Sequence, residues 1–295
     1  MYKYLAVILV VFGLFGCGDP SLQDVSYNLN SKPALWKVEK NHKTLYLFGS
    51  IHKVPKELKW YSPKIQNAYN KSNVLVVESL IEQDKDQMAI LQKKYGFLPN
   101  GKVIDQFLTK QEYEKYQKIV KALQVDTFYA DRLRPWVFFS ILQNKLALEQ
   151  LKYGVDILFI KQAKKEHKKV FALESSKEAL NAIASIPLQE DIKTLKKFLQ
   201  SKTLSKQELK EKIELFVSWA NGDTDRMAYL ISKNFSKQSY RHLVIKRNRL
   251  WYQRMIKHFK QHQTTIVVVG AAHLCGKDSL IAMLKKDGYK VTRVQ

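Results

Sequence analysis

Leu45-Tyr46-Leu47-Phe48-Gly49-Ser50-Ile51-His52 and Ile266-Val267-Val268-Val269-Gly270-Ala271-Ala272-His273 lie near opposite ends of the chain and share one pattern. Each is an apolar run rich in β-branched or aromatic residues, then a glycine, then a histidine three residues later. Such a run reads as a buried strand, and the glycine as the tight turn that ends it. Each histidine then sits just beyond the carboxyl end of its strand. In open α/β sheets that edge is where ligands bind, so the two histidines are expected to face one pocket.

Two more segments, Asn73-Val74-Leu75-Val76-Val77-Glu78 and Lys169-Val170-Phe171-Ala172-Leu173-Glu174, are apolar runs that end in a carboxylate. Leu35–Val38 and Thr44–Phe48 read as strands joined by the hairpin turn Lys40-Asn41-His42-Lys43, and Tyr289–Val294 as a last strand. Helical spacing appears over Lys64–Lys71, Leu133–Leu151, Val155–Glu166, Tyr240–His262 and Lys277–Lys286, with Gly288 as a C-cap. Thr109-Lys110-Gln111-Glu112 and Ser205-Lys206-Gln207-Glu208 both fit the capping box. The order of these elements predicts an α/β fold with a central mixed sheet made from two diverged βα halves. Each half supplies one histidine and one glutamate. A large helical insert, from Gln83 to about Leu151 and from about Lys177 to His262, is expected to cover the sheet. No repeat of solenoid length is present.

At 295 residues the chain can bury a substantial core without disulfides. Its first residues read as a targeting segment, with Lys3 positive and Leu5–Phe15 apolar but short for a membrane span. Leu14-Phe15-Gly16-Cys17 resembles the lipobox of bacterial lipoproteins. The resemblance implies a signal peptide over residues 1–16, lipidation of Cys17, a polar tether over 17–34 carrying Pro20 and Pro33, and a folded domain over 35–295. The expected location is the bacterial cell envelope, with the outer membrane preferred over the inner if there are two, because Gly18 is not aspartate. Cys275 is then the remaining thiol, no intramolecular disulfide can form, and a packing role is expected for it. The formal charge of +23 is lysine-dominated and suggests attraction to anionic lipid headgroups or an acidic partner. No nucleic-acid motif accompanies it, so no nucleic-acid partner is expected.

His52, Glu78, Glu174 and His273 form a set suited to zinc, manganese, cobalt or iron, since imidazole and carboxylate both ligate these ions. The same groups can work without metal, a histidine as general base and a glutamate of raised pKa as acid. The residues leave that choice open.

Gly49-Ser50-Ile51-His52, Val77-Glu78, Arg134-Pro135-Trp136, Gly154-Val155-Asp156, Leu173-Glu174, Arg247-Asn248 and Val269-Gly270-Ala271-Ala272-His273-Leu274 occur in this order. Together they resemble the TraB/GumN family, which includes the Tiki proteins, within a wider superfamily holding erythromycin esterases and haem-binding ChaN proteins. The resemblance covers nearly all of the chain after Cys17. It implies that His52 and His273 are the motif histidines, Glu78 and Glu174 their acidic partners, and Arg247 the basic group that binds a carboxylate or stabilises negative charge. Asp156 and Asn248 are expected to support them. Arg134-Pro135-Trp136 is expected to fix a helix entry, and Trp219 and Trp251 to pack in the core. The implied function is a membrane-anchored extracytoplasmic hydrolase, metal-dependent and cleaving a peptide or protein substrate. The alternatives are a metal-independent esterase and a non-catalytic protein that binds haem, metal or a peptide.

Overall fold

The computed structural model describes residues 31–51, 54–55, 58–80, 85–146, 154–200 and 206–295. Strands β1 (Leu35–Lys40) and β2 (Lys43–Ser50) open the fold, followed by α1 (Pro63–Lys71) and β3 (Val74–Val77). Helices α2 (Lys85–Tyr95), α3 (Lys110–Ala122), α4 (Thr127–Ala130), α5 (Pro135–Leu146) and α6 (Val155–Lys165) come next, then β4 (Lys169–Ala172). Helices α7 (Ser176–Ala184), α8 (Leu188–Gln200), α9 (Lys206–Ala220), α10 (Thr224–Asn234), α11 (Lys237–Tyr240) and α12 (Lys246–Gln261) lead to β5 (Thr264–Gly270). Helix α13 (Leu280–Lys286) and β6 (Val291–Arg293) close the chain. Two compact units result: one draws on Ile81–Ala147 and Ser176–Lys210, the other on Asp19–Leu80, Leu148–Ser175 and Glu211–Gln295.

The second unit holds a six-stranded mixed sheet in the order β4-β3-β5-β2-β1-β6. β4, β3, β5 and β2 are parallel, β1 is antiparallel to β2, and β6 is antiparallel to β1. The α/β class and the mixed sheet expected from the sequence are present. Strands β2 and β5, which carry the two glycine-histidine motifs, are parallel neighbours with Ser50 opposite Gly270. Parallel strands are covered on both faces, which explains their unbroken apolar runs. Leu45 and Leu47 of β2 pack with Val267 and Val269 of β5 and with Trp251, Met255 and Phe259 of α12. On the alternate positions, Phe48 meets Trp60 at 5.9 Å and Phe159 of α6 at 5.7 Å between ring centroids. The hairpin turn is tight because Asn41 (φ 51°) and His42 (φ 59°) both adopt the left-handed conformation, the geometry whose twist matches paired strands.

In the first unit the capping box at Thr109 forms as expected: the Glu112 amide donates to Thr109 Oγ1 at 3.3 Å and the Thr109 amide to Glu112 Oε2 at 2.8 Å. Arg134 precedes Pro135, the first residue of α5, and fixes that helix entry. Its guanidinium donates to Asp191 Oδ2 and to the carbonyls of Ala184 (2.7 Å) and Ile186 (2.8 Å). Tyr116, Val120, Phe138, Leu195 and Leu199 form this unit's core.

Several boundaries differ from the sequence reading. The helix expected over Tyr240–His262 carries a π-helical turn at Arg241–Ile245, and that expected over Lys277–Lys286 begins only after Ser279, whose side chain caps it by accepting from the Ala282 amide. β3 and β4 end at Val77 and Ala172, so each glutamate follows its strand instead of closing it. The signal peptide, Cys17 and most of the tether, His52, the capping residue Ser205, the start of the insert at Gln83 and the helix end at Leu151 lie outside the described residues.

Gly49 is held by a close approach. A Cβ there would stand 3.0 Å from both Cα and Cβ of Ala271, while its carbonyl accepts the indole N–H of Trp219 at 2.9 Å. The obstacle is backbone, which cannot swing aside as a long side chain can. Gly49→Ala should therefore lower unfolding stability by about 1–3 kcal/mol, the usual cost of overpacking, as read by urea denaturation.

Candidate active site

The carboxyl ends of β4, β3, β5 and β2 lie side by side. Backbone pairing continues past β3 and β4, with the Leu173 amide donating to Val77 O at 2.8 Å and the Glu174 amide to Glu78 O at 2.9 Å. The two glutamates therefore leave adjacent positions on one edge. Both are buried, Glu174 almost completely.

Arg247 reaches them from the first turn of α12, immediately after the π-helical turn, where the Lys246 amide bonds the carbonyl of Arg241 five residues back. Nη2 of Arg247 donates to Glu174 Oε1 at 2.6 Å and to Glu78 Oε2 at 2.9 Å; Nε lies 3.2 Å from each oxygen of Glu174. The guanidinium also stacks on Trp251, 4.3 Å from its ring centroid. Trp251 donates its indole N–H to Glu174 Oε2 at 3.0 Å, and the Gly270 amide donates to Glu78 Oε1 at 2.6 Å. A Cβ on Gly270 would come within 3.0 Å of that same oxygen, so the glycine keeps the carboxylate's seat open.

His273 completes the group. Asn248 donates through Nδ2 to the carbonyls of Asp278 (2.8 Å) and His273 (3.4 Å), which leaves Oδ1 as the acceptor facing His273 Nδ1 at 2.7 Å. Nδ1 therefore carries the hydrogen, and Nε2 presents its lone pair to the ion cluster, 3.4 Å from Arg247 Nη1 and 3.8 Å from Glu78 Oε1. The imidazole lies against Trp251, with ring centroids 4.3 Å apart.

Two carboxylates share one guanidinium, so with a neutral imidazole these four side chains carry one net negative charge. Burial raises the Glu174 pKa against the pull of Arg247, and the neighbouring Glu78 adds to the rise. Burial works against the charge on Arg247, but the two carboxylates outweigh it and raise its pKa. Glu174 therefore holds a proton more readily than a free carboxyl does, which suits it to acid–base chemistry.

The sequence places His52, Glu78, Glu174, Arg247 and His273 at one site. Of the last four, Arg247 contacts each of the other three, and His52 lies outside the described residues. Asn248 orients His273 as a supporting residue. Asp156 sits in the first turn of α6, whose Val155 amide is tied to the carbonyl of Ile51 at 3.1 Å. Trp219 and Trp251 are fully buried as expected, yet both also act through their indole N–H groups, a role the packing expectation missed. The available signals were the four-residue step from Arg247 to Trp251, which puts both on one helix face, and the need of a buried indole for an acceptor.

The profile of the TraB/PrgY/gumN family matches residues 34–293. The chain belongs to this family. Its relatives include an uncharacterised protein of Treponema pallidum (strain Nichols), 22% identical over 299 residues that cover 96% of this chain and 90% of the relative. The uncharacterised protein YbaP of Escherichia coli (strain K12) is 21% identical, covering 86% of this chain and 92% of YbaP. YbaP of Shigella flexneri is 22% identical over 81% of this chain and 87% of its own length. No solved structure matches the chain.

The metal-ligand expectation meets a different arrangement in this family member. Among the described residues no group of three or more His, Cys, Asp or Glu side chains is disposed to hold an ion. Arg247 stands between the two carboxylates, and both oxygens of Glu174 already accept from it or from Trp251. The described groups therefore do not fit an ion in this arrangement.

Cys275, two residues past His273, is buried, and burial pushes its thiol up to about 12. A thiol so raised carries almost no thiolate near neutral pH. Treatment with a disulfide reagent at pH 8 should leave Cys275 unmodified in the native protein and modify it fully in denaturant; rapid native modification of the Cys275 peptide would overturn the buried packing role.

Removing the guanidinium leaves two buried carboxylates facing each other. Arg247→Ala should cost about 3–5 kcal/mol in urea unfolding, as for a broken buried pair, and adding Glu174→Gln should recover part of that loss. Recovery is the informative outcome, because simple loss of packing would not be relieved by neutralising the carboxylate.

Proposed function

We propose that the chain is a membrane-anchored extracytoplasmic hydrolase that works by proton transfer at the strand-end cluster and acts on peptide bonds or related acyl groups. The observation that carries this reading is the Asn248–His273 contact, which fixes the imidazole with a basic Nε2 directed toward a buried carboxylate and a guanidinium. An imidazole held in one tautomer is suited to remove a proton from water or from a substrate hydroxyl. Glu78, 3.8 Å from Nε2, stabilises the imidazolium that results. Glu174, whose pKa is raised, is the candidate for holding or returning a proton, and Arg247 keeps both carboxylates in place beside the imidazole.

Anchoring is assigned to the segment before Cys17 and to its lipidation. No helix among the described residues is long and apolar enough to cross a membrane, so this reading rests on residues 1–17.

The test is turnover of chromogenic esters and peptide amides by the full chain in detergent. His273→Gln should lower the rate by at least about 100-fold, the usual contribution of a general base. Asn248→Ala should lower it less and displace the pH profile, because the imidazole then loses its fixed tautomer. Activity should survive a chelator. Loss in chelator with recovery on manganese, cobalt or zinc would replace proton transfer by a metal-dependent mechanism. Unchanged rates in His273→Gln would remove the site assignment altogether.

A further inference from the structure

The edge of the sheet opposite the candidate active site is where β4, β3, β5 and β2 begin, where β1 ends, and where several helices of the same unit finish. Its side chains are mainly lysines. Helix α6 ends in Lys164 and Lys165, α12 carries Lys257 and Lys260 near its end, and α13 ends in Lys285 and Lys286, all exposed. Lys71 closes α1 directly before β3. A lysine in the last turn of a helix is favoured by the helix dipole alone, which accounts for one or two per helix. That argument does not reach the strands, yet exposed Lys40 ends β1, exposed Lys169 begins β4, and exposed Lys290 directly precedes β6.

Carboxylates are fewer on this edge. Among the described residues there, Glu39 is paired with Lys37 at 2.6 Å, Glu166 offsets Lys168 and Lys165, and Asp287, which accepts from the Tyr252 hydroxyl at 2.6 Å, follows Lys286. The exposed ammonium groups thus give this edge an excess of positive charge, carried on the ends of helices and strands.

We propose that this amino edge is a docking face for anionic lipid headgroups, which turns the candidate active site away from the bilayer. The choice of a lipid surface rests on the anchored reading above, which keeps the domain beside a membrane. The named cations are all lysines, compact point charges on flexible stems suited to a diffuse headgroup layer more than to the planar, bidentate recognition that arginine serves. Chain reach permits the orientation. Ala34 enters the sheet at the carboxyl edge, since Leu35 pairs with Phe48. The residues from Cys17 to Ala34 span at most ~60 Å when fully extended, against ~27 Å for the length of β2.

The test is lysine acetylation of the full chain, resolved by peptide mass spectrometry, on neutral phosphatidylcholine vesicles and on vesicles containing phosphatidylglycerol. Lys257, Lys260, Lys285 and Lys286 should label at least about threefold more slowly on the anionic vesicles, with the difference removed by about 0.5 M salt. Lys246 and Lys277, exposed at the other edge, should label equally on both. In a variant with these four amino-edge lysines changed to glutamine, protection of Lys40 and Lys169 should fall while the circular dichroism spectrum is unchanged. Equal labelling on the two vesicle types, or protection of Lys246 and Lys277 in place of the amino edge, overturns the proposal. So does protection of these lysines by a single-stranded oligonucleotide where anionic vesicles give none. Flotation with the neutral vesicles reads the anchor by itself, which separates failure of anchoring from failure of the edge contact.

Discussion

One guanidinium between two carboxylates organises the sheet-bearing unit. Arg247 is drawn from α12 onto the ends of β3 and β4, and it brings with it Asn248 and Trp251, the residues that hold His273 and Glu174. Three charges so little exposed are tolerated only because each is paired and hydrogen-bonded: Glu174 to Nε, Nη2 and an indole, Glu78 to Nη2 and a backbone amide. Replacing such a set by apolar residues commonly stabilises a protein. Its position at the carboxyl edge of a parallel sheet, where open α/β sheets bind ligands, is what makes it the candidate site.

The surrounding fold serves this arrangement in identifiable ways. The parallel pairing of β2 and β5 brings the first motif glycine against the turn after the second: Gly49 lies so close to Ala271 that a side chain there would crowd its backbone. Trp219 fixes the same point by donating to the Gly49 carbonyl. The second glycine, Gly270, leaves room for Glu78 and supplies the amide that holds it. The two glycines thus look alike in sequence but do different things, one permitting backbone contact and the other seating a carboxylate. The π-helical turn ahead of α12 accommodates an extra residue in the helical repeat, which sets the face on which Arg247, Asn248 and Trp251 emerge.

The elements legible in the sequence were those with a local cause. Alternating and continuous apolar runs placed the strands, Asn41-His42 placed the hairpin turn, and Thr109 with Glu112 placed a helix start. Membership of the TraB/PrgY/gumN family was legible as well, because short motifs recurred in a fixed order across the chain. The site residues could be named because each directly follows an apolar strand or lies in such a motif. The double role of Trp251, the amide of Gly270 as a donor, and the π-helical turn were not legible. Each depends on which partner is brought near from more than fifty residues away, or on a change of helical repeat that the apolar pattern does not record.

By itself, then, the sequence determined the class of fold, the strands that carry the two glycine-histidine motifs, and the short set of polar residues at their ends. These follow from hydrophobic periodicity and from the backbone freedom of glycine, both local properties of the chain. Only the tertiary structure decided that Arg247 pairs with both glutamates at once, that His273 turns its basic nitrogen toward them, and that the lysines of separate helices and strands gather on one edge. Those outcomes depend on distances between elements far apart in sequence. The energies of buried charges change steeply with such distances, whereas hydrophobic patterning leaves them unspecified.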